Sequence, residues 1–418
     1  MVVVTACSNT TAEGDGSSQA VTFMMTGGPE EQAAYEKLVS NFNAEHAGIE
    51  VTVSNIPSGG EFRQKLATMF SASNPPDVFL YNFRRLGVYA EEKAVHPLDS
   101  LLESSDKLNR EDFYPIVLTA FTYQGALQCL PQNLSSPVIY YNKALFDAAG
   151  LAYPQADWTL DDFVATARAL TQDTNGDGTP DQYGFGTEIE TIRLAPFVWG
   201  NGGQLLDNPE NPTRLTLDMP ETREALEWFV NLQTVEHVSP DRISEEASSS
   251  QNRFVAGTMG MYMNSRVVVP TLRTITSFEW DAAPLPVGKN PASVLHSDGF
   301  CMSAQAAKDP AHLEAVWTFI EYALSATGQT LLAETGRTVP SMISVAESDA
   351  YLNSTPPANN RVWLDATANM QAFPIHPTWN TLEEMLAQEL QRAFYGEVTI
   401  DEMIDAANQS AEEIINGN

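Results

Sequence analysis

Apolar positions in the N-terminal part of the chain fall into two alternating rhythms. Residues 20–25 form a short apolar run, Ile49, Val51 and Val53 alternate with polar neighbours, and residues 78–81 are again apolar, which predicts three strands. Between them Ala34, Leu38 and Phe42 recur at helical spacing, as do Phe62, Leu66, Met69 and Phe70, which predicts two helices, the first opened by Pro29. A β-α-β-α-β order implies a parallel sheet with helices on both faces. Ligands of such sheets sit beyond the carboxyl ends of the strands. Those ends carry Thr26 and Gly27 after the first strand and Tyr81, Asn82 and Arg84 after the third.

The pattern changes twice between residues 125 and 150. Residues 127–131 read as a short strand stopped by Pro131, and the next side chains, Gln132, Asn133, Ser135 and Ser136, are all polar. Residues 138–141 resume an apolar strand, Asn142 can cap a helix over 143–149, and Gly150 can end it. This predicts a strand leaving one lobe, a polar elbow facing a cleft, and a strand and helix opening a second lobe; an ordinary surface loop is the alternative. Helices are expected over 160–170, 189–199 and 222–234, and a strand over 260–263 whose polar end, Asn264, Ser265 and Arg266, is like the elbow. Asp298 opens a segment, 298–302, that leads back to the first lobe. Helices over 310–324 and 326–335 follow, then a turn at 336–340 holding Arg337. A proline-rich third crossing near 370–377 brings Trp379 to the second lobe, which amphipathic helices over 382–394 and 400–415 complete. The expected organisation is a tether over 1–19, a first lobe of 20–129 plus 302–368, and a second of 131–299 plus 374–418.

Several of these runs carry a family resemblance. PQNLSSPVIYYNKALFDAAGL (131–151) followed by WTLDDFVATARALT (158–171), PPDVFLYNFRRLG (75–87) and RFVAGTMGMYMNS (253–265) resemble the extracellular solute-binding proteins of ATP-driven importers, in the carbohydrate-binding cluster that includes maltodextrin receptors. The resemblance implies an α/β, two-lobe periplasmic-binding-protein-like fold with three interlobe crossings and a ligand cleft. It places the segment with Trp199 and Asn201 on the cleft side and makes Arg337 the last first-lobe contact. It also implies docking on the permease subunits of an ABC transporter, with transport driven by a separate ATPase. By the same resemblance Cys129 and Cys301 lie on neighbouring crossing strands, as a disulfide or as two buried thiols.

Charge narrows the partners. With 22 basic and 54 acidic residues the net charge is −32, which argues against nucleic acid or an anionic membrane surface. No apolar run reaches the roughly 18 to 20 residues that span a bilayer. Val4-Thr5-Ala6-Cys7 has the form of a bacterial lipobox as it would stand after trimming of a signal peptide, and the Ser-, Thr- and Gly-rich residues after it suit a flexible tether; an incidental cysteine is the alternative. Lipidation is therefore expected at Cys7, with an exported, monomeric receptor at the cell surface or in the periplasm, held to the membrane only through that anchor.

No Gly-x-Ser-x-Gly, His-Glu-x-x-His, Walker or Cys-x-x-Cys motif is present. The expected cleft collects Tyr81, Asn82, Gln132, Asn133, Ser135, Trp199, Asn201, Asn264, Ser265 and Trp379. Amides and hydroxyls can meet the rim of a sugar and aromatic rings its C–H faces. Arg84, Arg85, Arg193, Arg266 and Arg337 would instead suit a glycerol phosphate if they converged, the alternative for each being a surface ion pair in a very acidic protein. A secreted glycoside hydrolase, needing only two carboxylates, and a structural or signalling lipoprotein are alternatives of other classes. Asp173, Asn175, Asp177, Thr179 and Asp181 follow the first part of an EF-hand calcium loop, but Gly184 takes the place of its bidentate glutamate, so an Asx-turn loop is the competing reading. No other cofactor is expected.

Overall fold

A computed structural model describes residues 18–417. Cys7 and most of the expected tether lie outside the described residues. The chain opens with β1 (Gln19–Met25), α1 (Pro29–Glu45), β2 (Ile49–Asn55), α2 (Gly59–Ser71) and β3 (Val78–Asn82), in the order the apolar rhythm predicts. Further on come β4 (Cys129–Pro131), β5 (Val138–Asn142), α3 (Lys143–Ala149), α4 (Leu160–Leu170), β6 (Tyr183–Thr187), α5 (Thr191–Gly200) and α6 (Pro220–Thr234). Then come β7 (Met259–Asn264), β8 (Trp280–Ala283), β9 (Asp298–Met302), α7 (Pro310–Leu324), α8 (Trp379–Phe394) and α9 (Ile400–Asn416).

Two principal sheets organise these elements. The first runs β2-β1-β3-β9-β4, with β1 parallel to both β2 and β3, and with β9 antiparallel to β3 and β4. The second runs β8-β5-β7-β6. Pro131 is tolerated because β4 is an edge strand. Cys129 and Cys301 stand opposite each other in the β4/β9 register and are joined by a disulfide.

Local chemistry explains the element ends. Asn142 accepts a hydrogen bond from the Leu145 amide at the start of α3, and Gly150 closes that helix in the left-handed region at φ 67°. Thr159 and Asp162 form a reciprocal capping box on α4. Under the first sheet, Phe23, Tyr35, Phe42, Phe300 and Phe319 interlock edge to face or at tilted angles. Under the second, Phe163 packs on Phe185 and Trp228, and Tyr140 on Trp280 and Trp363.

The chain passes between the sheets three times. β4 hands over to β5 through residues 132–137, and β8 returns to β9 through 284–297. The last passage starts earlier than residues 370–377. Asn359 already donates to Asp281 and to the Ala282 carbonyl beside the second sheet, and Arg273 bonds Ser354 and Pro356. α8 then packs on α5, α6 and α9, and touches the short helical turn Phe83–Arg85 that follows β3. At this junction Gly87 lies so close to the His376 backbone that a Cβ would stand 2.3 Å from its carbonyl carbon and oxygen.

Candidate functional site

The elbow is tighter than a loop. Asn133 and Leu134 pair with Val339 and Pro340, and Ser135 exchanges backbone hydrogen bonds with His296, both 2.8 Å. This ladder brings the first and second crossings and the turn at 336–340 to one place. There a cavity of about 170 Å³ opens between the sheets, lined by Asn82 and Asp298 from the first, Arg193 from α5, Ser265 just past β7, and Asn133, Ser135, His296, Ser297, Arg337 and Thr338 from the connections.

Its polar groups orient one another. The Asn82 amide nitrogen donates to Asp298 at 3.1 Å, and the Asp298 backbone amide donates to the Asn133 side-chain oxygen at 3.0 Å. Arg266 donates its backbone N–H to the Ser135 hydroxyl at 3.1 Å. Arg193, from α5, donates to Glu188 and to Asn264, each at 2.6 Å, and its other terminal nitrogen lies 3.5 Å from His296 Nε2. Arg337 Nε stands 2.7 Å from Glu31 Oε2, yet that oxygen receives no directed hydrogen bond, so the contact is an ion pair with poor alignment.

Burial decides the protonation of these groups. His296 is held well below the ordinary imidazole range, first by burial and then by the Arg193 and Arg84 cations, so the ring is neutral. Glu31 is pushed up to about 7, first by burial, an effect that Arg337 reduces and Asp298 adds to. Arg84 is lowered to about 9 by burial and then by Arg85, with Arg193 also lowering it and Glu190 and Asp298 opposing. It pairs with Glu383 of α8.

Tyr81 faces a second, larger cavity of about 660 Å³, which Arg63, Arg85 and Tyr89 line from the first lobe and Asn380 and Glu384 from α8. A third, of about 340 Å³, is walled by Pro137, Pro284, Pro286 and Pro291. Gln155, Ser293, Asn359, Asp365 and Asn369 also line this third space.

Of the residues expected in the cleft, Asn82, Asn133, Ser135, Ser265, Asp298 and Arg337 line one cavity and Tyr81 its neighbour. Gly27 is at the end of β1 against Glu31, where a Cβ would meet Glu31 Oε2 at 2.2 Å; Thr26, half-buried, precedes it. Arg84 is buried and tied to Glu383 of α8. The other expected residues lie away from these cavities. Trp379 is fully buried and stacked on Phe373 with ring centroids 4.5 Å apart, and Trp199 packs on the same ring. Asn201 is buried against the Glu221 carbonyl and Glu224. Asn264 is fully buried behind Arg193, which it orients. The Arg266 guanidinium is sandwiched between Tyr351 and Trp363 and donates to Asn360, away from the cavity. Gln132 is also buried, its carbonyl accepting from Gln329.

His296, Glu31 and Glu383 were not singled out from the sequence. Nothing in their spacing marks them, although His296 lies just before the crossing strand that carries Asp298. In the loop 173–184, Asp173 accepts from the Gly176 and Gly178 amides, Asn175 from Asp177, Asp177 from Thr179, and Asp181 from Thr174 and Asn175. The bonds at Asn175 and Asp177 are Asx turns, and those from Thr174 and Asn175 lower the Asp181 carboxyl, with the Thr174 hydroxyl first among the causes. Among the described residues no group of three or more His, Cys, Asp or Glu side chains is gathered as a metal site would need.

Comparison with known proteins adds to the geometry. Residues 27–330 match the family described as bacterial extracellular solute-binding protein. A putative binding protein of Brucella abortus is 23% identical over 386 residues, covering 91% of this chain and 89% of its own. A mannitol-binding protein of Pseudomonas aeruginosa is 26% identical, with 72% of each chain covered. Among solved structures, an ABC substrate-binding protein from Listeria monocytogenes in complex with cycloalternan superposes with a TM-score of 0.85 at 23% identity, covering 96% of this chain and 99% of that one.

Proposed function

We propose that this chain, which belongs to the bacterial extracellular solute-binding protein family, captures a neutral carbohydrate or polyol between its two sheets and delivers it to an ABC importer. The observation that carries this reading is the state of the arginines. Two of the guanidinium groups near the central cavity are already matched by a carboxylate, Arg193 by Glu188 and Arg84 by Glu383, and Arg337 stands beside Glu31, whose carboxyl is pushed up to about 7. Asp298 adds a further acid. A phosphate or carboxylate ligand would have to displace one of these acids, and the net field would oppose it.

What remains to meet a ligand is amide, hydroxyl and neutral imidazole, from Asn82, Asn133, Ser135, Ser265, Thr338 and His296. Such groups can donate to and accept from a ring of hydroxyls at no cost in charge desolvation. The similarity to a mannitol-binding protein and to a structure holding cycloalternan supports the same ligand class. Binding is favoured over hydrolysis by the match of residues 27–330 to a solute-binding family.

Among the described residues no helix is long and apolar enough to cross a membrane. The lipobox form around Cys7 supports a lipid anchor, and a calcium ion in the loop at 173–181 belongs to the same proposal only as a structural addition. The test is a thermal-shift screen over mono- and oligosaccharides, polyols and glycerol 3-phosphate. A ligand present at 100 times its Kd stabilises the folded form by about 2.7 kcal/mol. A shift with a neutral sugar or polyol and none with glycerol 3-phosphate is expected; a shift with the phosphate alone would overturn the reading.

A further inference from the structure

Two consecutive arginines of the first lobe reach one face of a second-lobe helix. Arg84 pairs with Glu383, and Arg85 donates to Asn380 and, at 3.1 Å, to Glu384. Asn380, Glu383 and Glu384 are spaced i, i+3 and i+4 on α8, so they present a single acidic and amide stripe. The helix itself is fixed to the second lobe: Thr191 at the start of α5 donates its hydroxyl to the Glu383 carbonyl at 3.0 Å, and Gln391 bonds the Ile189 carbonyl. On the other side, Asn82 accepts from the Arg84 amide, which ties the arginine turn to the end of β3 and to the cavity that Asn82 lines.

The two halves of this contact differ in solvent. The Arg84 and Glu383 side chains are 11% and 9% exposed, whereas Arg85 and Glu384 are 22% and 53% exposed. The buried pair is all or nothing: separated lobes hydrate both charges, closed lobes match them, and closed lobes with one partner missing hold an uncompensated charge. The outer pair is screened by salt and adds a smaller, tunable share.

We propose that Arg84, Arg85, Asn380, Glu383 and Glu384 form a latch across the cleft, made wholly of protein atoms, which holds the two lobes together independently of any ligand. Ligand enters from the unlatched fraction, so the latch sets how much of the protein is open to capture at a given moment. This regulates the site of the proposed function but does not depend on which ligand it takes.

Small-angle scattering of the full chain, dialysed free of ligand, tests the latch. Glu383→Gln is expected to raise the radius of gyration above that of the unchanged protein, and the charge swap Arg84→Glu with Glu383→Arg to bring it back. Should Glu383→Gln fail to fold, Arg85→Gln carries the same test with a smaller rise, and raised salt should reproduce that smaller rise in the unchanged protein. A Glu383→Gln or Arg85→Gln variant as compact as the unchanged chain, or an unchanged chain already as extended as the variants, would overturn the proposal. None of these arms contains sugar, so failure of the carbohydrate reading would leave the result standing, and an open ligand-free protein would leave that reading standing.

Discussion

Replacing Glu31 by glutamine should stabilise the protein at neutral and alkaline pH and do little in acid. Glu31 lies on the first turn of α1, buried, with its carboxyl pushed from 4.5 up to about 7. The folded protein therefore binds this proton more tightly than the unfolded chain does. Below pH 4.5 both states are protonated and the carboxyl costs nothing. As pH rises from 4.5 to about 7 the unfolded chain ionises first, so stability falls, and above 7 the loss is complete. At about 1.4 kcal/mol for each tenfold change in proton affinity, the interval from 4.5 to about 7 is worth about 3 kcal/mol. Arg337 reduces this penalty only in part because its contact with Oε2 is poorly aligned, and it is itself a third exposed. Glutamine keeps the shape and never ionises. Urea unfolding of both proteins at several pH values between 4 and 8 should give curves that coincide at the acid end and separate towards about 3 kcal/mol at pH 8. Parallel curves, or a variant less stable at pH 8, would refute the burial argument.

The remaining predictions concern packing and covalent closure. Trp379→Ala should cost about 3–5 kcal/mol in chemical denaturation, since it empties a buried indole stacked on Phe373; a loss of ligand affinity at unchanged stability would contradict its placement. Removing the Cys129–Cys301 disulfide by a double alanine change should lower stability by about 2–5 kcal/mol, because the bond closes a long loop of sequence separation 172; an unchanged melting curve would count against it. Gly87→Ala should destabilise the junction of the first lobe with the third passage, as its Cβ would lie 2.3 Å from His376 backbone atoms; thermal unfolding should show a lowered midpoint. Asn133→Ala should weaken ligand binding about tenfold or less, in the range of one lost hydrogen bond, because it frees the Asp298 amide; calorimetric titration with the sugar found by screening reads this directly.

Most secondary structure was legible because it is dictated locally. Asn142 and Gly150 bound a helix by cap chemistry alone, and alternation along 49–53 can bury only one face of a strand. The candidate site was legible in part for the same reason. Strand ends are turns, and the polar residues there, Asn82, Asn133, Ser265 and Asp298, had to point somewhere other than the core. The aromatic residues misled. Trp199 and Trp379 have the composition of a sugar platform, but an indole is equally suited to a buried stack, and only their shared neighbour Phe373, remote from Trp199 in sequence, decides between the two.

The sequence alone therefore determined the alternating strands and helices of the N-terminal part and the class of the cavity's polar groups, since each follows from periodicity or from one residue's bonding capacity, whereas β6 and β8, half of the second sheet, were not read from it. Tertiary structure decided which charges are spent. Whether Arg84, Arg193 or Arg337 is free to bind an anion depends on carboxylates on other elements, Glu383, Glu188 and Glu31. Coulomb attraction depends on distance and burial, which no linear spacing records when the partners, as with Arg84 and Glu383, sit at opposite ends of the chain.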